Sequence, residues 1–192
     1  MELKIIQSYL DLCFEHGVEN ITLQKVADKS EVAFGTIRYY FAPTKTINLK
    51  NAAVLYVLSI ASERVSKYVE GQKNKKNFNP VTSYLDAHFD WDLHHPQETS
   101  YLSYFLYLNS IGSKSIIGFD EFSKSGKNRL KSIVFEAVGM KHYELNQGNI
   151  GELIESLYSV LIGFLMTYGL SDKPNKKKIR KQCHSIFDLL LV

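Results

Sequence analysis

Apolar residues recur at intervals of three and four along most of this chain, a spacing that packed helices bury and strands do not. Ile5, Tyr9, Leu12 and Cys13 fall on one face of a segment that Gly17 stops. Leu55, Leu58, Ser62, Val65 and Val69 draw a stripe over several turns of a long helix predicted to begin at Thr44. Val81, Tyr84, Leu85, His88 and Phe89 do the same behind Pro80, a residue suited to a first helical turn. Pro96 separates that helix from an aromatic-rich one over about residues 97–111, and Leu130, Ile133, Val134, Ala137 and Val138 mark another. No alternating pattern flanked by hairpin turns occurs, and no internal repeat. The fold class predicted is all-α, with about nine helices.

The end of the chain adds a constraint on assembly. Residues 149–170 are apolar nearly all round in their second half, through Leu157, Val160, Leu161, Ile162, Phe164, Leu165 and Met166. A helix without a polar face must be covered on more than one side. The final helix, about residues 174–191, carries Ile179, Cys183, Ile186, Phe187 and Leu190 at helical spacing. Pairing of these last two helices with their two-fold mates gives a four-helix homodimer interface; a purely intramolecular core is the alternative. The most apolar stretch, Leu157 to Leu170, is short for a bilayer and carries Ser159 and Thr167, so no membrane partner is expected.

Composition bounds the class further. The 192 residues suffice for one medium domain or a small one joined to a larger one. The net charge of +3 does not by itself argue for nucleic acid, although Lys25, Lys29, Arg38, Lys45 and Lys50 outnumber Asp28 and Glu31 in one segment. Cys13 and Cys183 sit on apolar faces and read as buried thiols. No secretory leader is read at the start, and a cytoplasmic location is expected. No glycine-rich phosphate loop, nucleophile elbow or paired-histidine zinc motif occurs, so neither an enzyme nor a cofactor is expected. His88, Asp92 and His95 share a helical face, but Pro96 follows directly, and polar residues at a helix end are the reading preferred to a metal site. The run Lys176–Lys178 with Arg180 and Lys181 reads as a solvated helix face.

The segment richest in function is residues 5–49. Three short helices precede a long one. Thr22 is placed to cap the second, a tight turn near Ser30–Val32 follows, and the third runs over about Ala33–Tyr40 before Ala42-Pro43. This is the layout of a helix-turn-helix, with Ile5, Leu12, Val26, Val32, Ile37 and Phe41 as its small core.

The ordered set Ile21-Thr22-Leu23, Val26-Ala27, Val32, Gly35-Thr36-Ile37, Tyr40-Phe41 and Ile47 resembles the TetR family of transcriptional regulators. The chain departs from that pattern at Glu31, where Gly is common, at Ala33, where Ser or Thr caps the recognition helix, at Arg38, and at Thr44 with Lys45 beside it. The resemblance implies a helix-turn-helix DNA-binding domain over residues 1–46 and a helical ligand-binding and dimerisation domain over 47–192. It implies double-stranded DNA as partner, with Thr22, Gln24, Lys25, Phe34, Gly35, Thr36, Arg38, Tyr39, Tyr40, Thr44 and Lys45 as candidate contacts. Thr36 and Tyr40 match family positions that touch phosphates. Gly35 either admits DNA closely or serves close helix packing, and Phe34 either meets a thymine methyl or is a stray exposed ring. The function implied is a ligand-responsive regulator, a repressor on a palindromic operator. A helical interaction module without DNA binding and an all-helical enzyme are the alternatives.

The middle of the chain is aromatic. A small-molecule effector of apolar or aromatic character is expected, with Trp91, Tyr104, Phe105, Tyr107 and Phe122 as pocket candidates; ordinary core packing is the competing use of such rings.

Overall fold

A computed structural model describes residues 1–41, 48–110, 119–138, 150–169 and 171–191. The described residues form nine α-helices and one 3-10 turn, and no strand. The helices are α1 (Glu2–His16), α2 (Leu23–Ser30), α3 (Phe34–Phe41), α4 (Leu49–Gln72), α5 (Pro80–His94), α6 (Pro96–Ser110), α7 (Phe119–Val138), α8 (Ile150–Gly169) and α9 (Lys173–Leu190). The all-α expectation is met. The predicted start of α4 at Thr44 and a domain boundary at 46/47 lie outside the described residues.

The chain divides into two compact units. Met1–Ser59 joins Tyr101–Gly118 in the first, and Ile60–Ser100 joins Phe119–Val192 in the second. Both α4 and α6 therefore contribute residues to each.

Local chemistry sets the helix ends. Gly17 ends α1 at φ 81, where a side chain would be strained, and its N–H reaches the Cys13 carbonyl. The Asn79 side chain accepts from Thr82 N–H ahead of Pro80, and Asp172 accepts from Asn175 N–H to open α9.

The second unit packs Tyr84, Leu85 and Phe89 of α5 against Leu130 and Val134 of α7, Leu157 and Leu161 of α8, and Cys183 and Phe187 of α9. Charges align α5 with α9: Lys176 pairs with Asp92 at 3.2 Å, and Asp86 accepts from both Arg180 and His184, at 2.8 and 2.7 Å. The expected solvated basic face of α9 is thus corrected. Lys177, Lys178 and Lys181 are exposed, but Lys176 and Arg180 lie one turn apart on the face that meets α5.

His88, Asp92 and His95 do not converge. His88 Nδ1 bonds the Tyr84 carbonyl, Asp92 is 1% exposed against Lys176, and His95 stacks on Trp91 with ring centroids 4.0 Å apart. Among the described residues no group of three potential metal ligands stands together. The polar-helix-end reading needs correcting too, since Asp92 is a core residue. Finally, α8 is long and apolar enough to cross a membrane, with only 17% of its most apolar window buried.

Candidate nucleic-acid interface

The first unit builds the helix-turn-helix from its core outward. Ile5, Tyr9 and Leu12 of α1, Val26 and Ala27 of α2, and Ile37 and Phe41 of α3 are all buried. Helices of eight residues are too short to persist alone, and this shared core holds them. Thr22 Oγ1 accepts from Lys25 N–H at 3.3 Å, the cap predicted for α2. Two exposed ion pairs tie α1 to this segment, Lys29 to Glu15 and Lys4 to Glu31.

The turn is tight. Glu31 adopts the left-handed conformation at φ 53 and ψ 40, and Val32 N–H bonds the Ala27 carbonyl at 3.1 Å. A non-glycine residue is disfavoured there by contact of its Cβ with the following carbonyl. The Lys4 ammonium meets the Glu31 carboxylate at 3.1 Å.

Burying Ile37 and Phe41 turns the opposite face of α3 outward. Phe34 is 40% and Tyr39 70% exposed, Gly35 and Arg38 are exposed, and Thr36 and Tyr40 are half-buried. A Cβ added at Gly35 would meet nothing within 4 Å among the described residues, so their packing gives no reason for glycine at this position. On α2, Gln24 donates to Asp28 at 2.8 Å and Lys25 Nζ to the Asn20 carbonyl at 3.0 Å, both exposed. Tyr39 lies edge-on to Tyr40. Thus Thr22, Gln24, Lys25, Phe34, Gly35, Arg38 and Tyr39 all reach the surface of one three-helix unit. Thr44 and Lys45 lie outside the described residues.

The pocket candidates separate. Trp91 is buried in the second unit, whereas Tyr104, Phe105 and Tyr107 belong to the first. The Tyr104 hydroxyl donates to Glu19 in the 3-10 turn just before α2, and this bond pushes its pKa up to about 12. Phe105 is buried against Tyr101, whose hydroxyl donates to the Lys50 carbonyl and whose ring meets Tyr9 and Phe14 edge-on. Tyr107 is 56% exposed, and the Phe122 side chain lies outside the described residues. Sequence reasoning missed the support that α6 gives the first unit. Tyr104 and Glu19 are 85 positions apart, and no local pattern links them.

No protein-family model matches the chain, and no curated protein matches its sequence. Solved structures do match. The fatty acid degradation regulator FadR from Bacillus halodurans aligns over 99% of this chain and 94% of its own, at 18% identity and a TM-score of 0.70. A transcriptional regulator from Rhodococcus sp. Rha1 aligns over 100% and 94%, at 13% identity and a TM-score of 0.68. The multidrug binding protein EbrR, complexed with imidazole, aligns over 96% and 93%, at 15% identity and a TM-score of 0.64. With its helix-turn-helix built as described and its length spanned by these neighbours, the chain has the fold of transcriptional regulators of the TetR type.

Proposed function

We propose that this protein is a ligand-responsive, DNA-binding transcriptional regulator that acts as a homodimer on a palindromic operator, as a repressor. The observation that carries the reading is the outward face of α3. There an exposed glycine, with no packing neighbour among the described residues, stands between Phe34 and the polar Thr36, one turn from Arg38 and Tyr39. Glycine at a helix N-terminus without a neighbour in its own chain suits close approach to a phosphate backbone. Arg38 is placed for a guanine edge or a phosphate, and Phe34 for a thymine methyl. Thr22, Gln24, Lys25, Thr36, Tyr39 and Tyr40 supply the remaining contacts, with Thr44 and Lys45 as further candidates.

The dimer reading rests on α8. Its apolar length is little covered by the described residues, and Ser159, Gly163 and Thr167 form an exposed strip of small residues between half-buried Val160, Ile162 and Met166. Packing against a second copy, with Gln182, Ser185 and Leu189 of α9 alongside, removes this surface from water. A fixed spacing between two recognition helices then matches two half-sites. Fold neighbours that include a multidrug binding protein and a fatty acid degradation regulator support a small organic effector with apolar character. Ligand and DNA must each favour a different dimer state, and the coupling is reciprocal. The reading places the protein in the cytoplasm, with no catalytic activity.

Selection of DNA sites from random duplexes with the purified protein tests the reading. A two-fold symmetric consensus, bound with a steep inverse dependence on salt, is expected. Binding that is absent or without symmetry refutes it. Gly35→Ala sharpens the test: stability should hold or rise by up to about 1 kcal/mol while operator affinity falls. Undiminished affinity would remove Gly35 from the interface.

A further inference from the structure

The second unit holds four half-buried lysine and arginine side chains among its described residues: Lys127, Arg129, Lys176 and Arg180. Three have a carboxylate partner, since Lys127 pairs with Glu155, Lys176 with Asp92 and Arg180 with Asp86. Arg129 has none among the described residues. Among the described residues its guanidinium donates only to Ser62, through the carbonyl and the hydroxyl. Both partners are neutral, and the fork keeps donors for another acceptor.

The surroundings make that charge unusual. Arg129 lies beside Leu130 in α7, one turn before Ile133, and Ser62 lies one turn before Val65 of α4; all three apolar residues are buried core. Tyr84 and His88 of α5 and Tyr158 of α8 are the titratable groups whose pKa the Arg129 charge pulls downward, each less strongly than burial acts on it. None of the three neutralises it. Burial holds both tyrosines protonated and drives the His88 pKa down to about 4. A partly desolvated cation without a counter-charge is costly, and the two ways to meet that cost are an internal carboxylate or an anion from outside.

We propose that Arg129, tied across from α7 to Ser62 of α4 beside the buried core of the second unit, is the anchor for the carboxylate of an amphiphilic small-molecule effector. This deepens the reading of the second unit as a ligand-binding domain and rests on it. A planar guanidinium matches a carboxylate in bidentate geometry, and one positive charge beside a neutral imidazole matches a monoanion rather than a phosphate dianion. Leu130, Ile133 and Val65 beside it are the apolar surface that a hydrocarbon or aryl tail would have to part and enter. The buried Asp92 carboxylate is a weaker candidate for a ligand site. Its Oδ1 has no hydrogen-bond partner among the described residues, and its Oδ2 is already paired with Lys176.

The chain has one tryptophan, Trp91, one helical turn from His88 on α5, and its emission reads the site without DNA. The full-length protein is titrated with octanoate, decanoate and phenylacetate, and with octanol, decanol and phenethyl alcohol as uncharged counterparts. At least one acid should give a saturable change that its alcohol does not match. Arg129→Gln should weaken that acid by about tenfold or more, the loss of a charge-assisted hydrogen bond, and exposed Arg64→Gln should not. The acid–alcohol contrast in the unaltered protein stands even where Arg129→Gln misfolds. Three results overturn the proposal: alcohols that bind as tightly as the acids, no acid that binds, or acid affinity unchanged in folded Arg129→Gln. Failure of the DNA selection leaves this readout intact, so the two readings fail separately.

Discussion

Glu31 stands at a left-handed backbone position in the turn between α2 and α3, and its replacement by glycine gives a quantitative test of how this helix-turn-helix is held. The residue sits at φ 53 and ψ 40. For an L-residue that conformation costs about 1–2 kcal/mol. Glycine removes the cost but loses about 0.5–1 kcal/mol more backbone entropy on folding. Glu31→Gly also breaks the pair with Lys4, whose partners are 53% and 82% exposed, an interaction worth at most about 1 kcal/mol. The clean comparison is therefore with Glu31→Ala, which loses the same pair and keeps the strain. Glu31→Gly should exceed Glu31→Ala by roughly 0.5–1 kcal/mol, a difference in Tm of a few degrees for a chain of this size. Guanidinium and thermal melts followed by far-ultraviolet circular dichroism measure it, and repetition in about 1 M salt suppresses the ion pair in every variant. If the alanine variant equals or exceeds the glycine variant, the left-handed strain assigned to Glu31 is wrong.

Other substitutions test separate links. The His88 imidazole is driven down to about 4 by burial, so the unfolded chain takes up a proton near 6.5 and the folded one does not. The His88 contribution to stability is then full above about pH 6.5, is lost by about 3 kcal/mol toward pH 4 and changes little below; guanidinium midpoints across that range should fall less steeply in His88→Gln, with the part due to paired carboxylates such as Asp86 remaining. Gly126→Ala would put a Cβ 2.9 Å from Tyr158 Cε2 and should cost about 1–3 kcal/mol by thermal melt, whereas Gly151→Ala, which meets open space, should cost nothing. Arg38→Ala and Tyr40→Ala should weaken operator binding by gel shift while leaving Tm nearly unchanged; unaltered binding would take both side chains out of the interface.

What the sequence determined by itself was the local architecture. The three- and four-residue spacing specified helices throughout. Thr22 announced the start of α2, and the Ser30–Val32 turn was placed correctly, with α3 beginning one residue later than predicted. These features are legible because capping and helical periodicity act within a few positions. The tertiary structure decided which faces meet. It drew Tyr104 to Glu19 and Tyr101 to Lys50, so two rings of the aromatic run in α6 pack within the first unit. It converted Lys176 and Arg180 from surface charges into partners of α5, and left Arg129 without a carboxylate among the described residues. Such pairings depend on the rotation and register of helices far apart in the chain, and those follow from long-range packing, which no local pattern encodes.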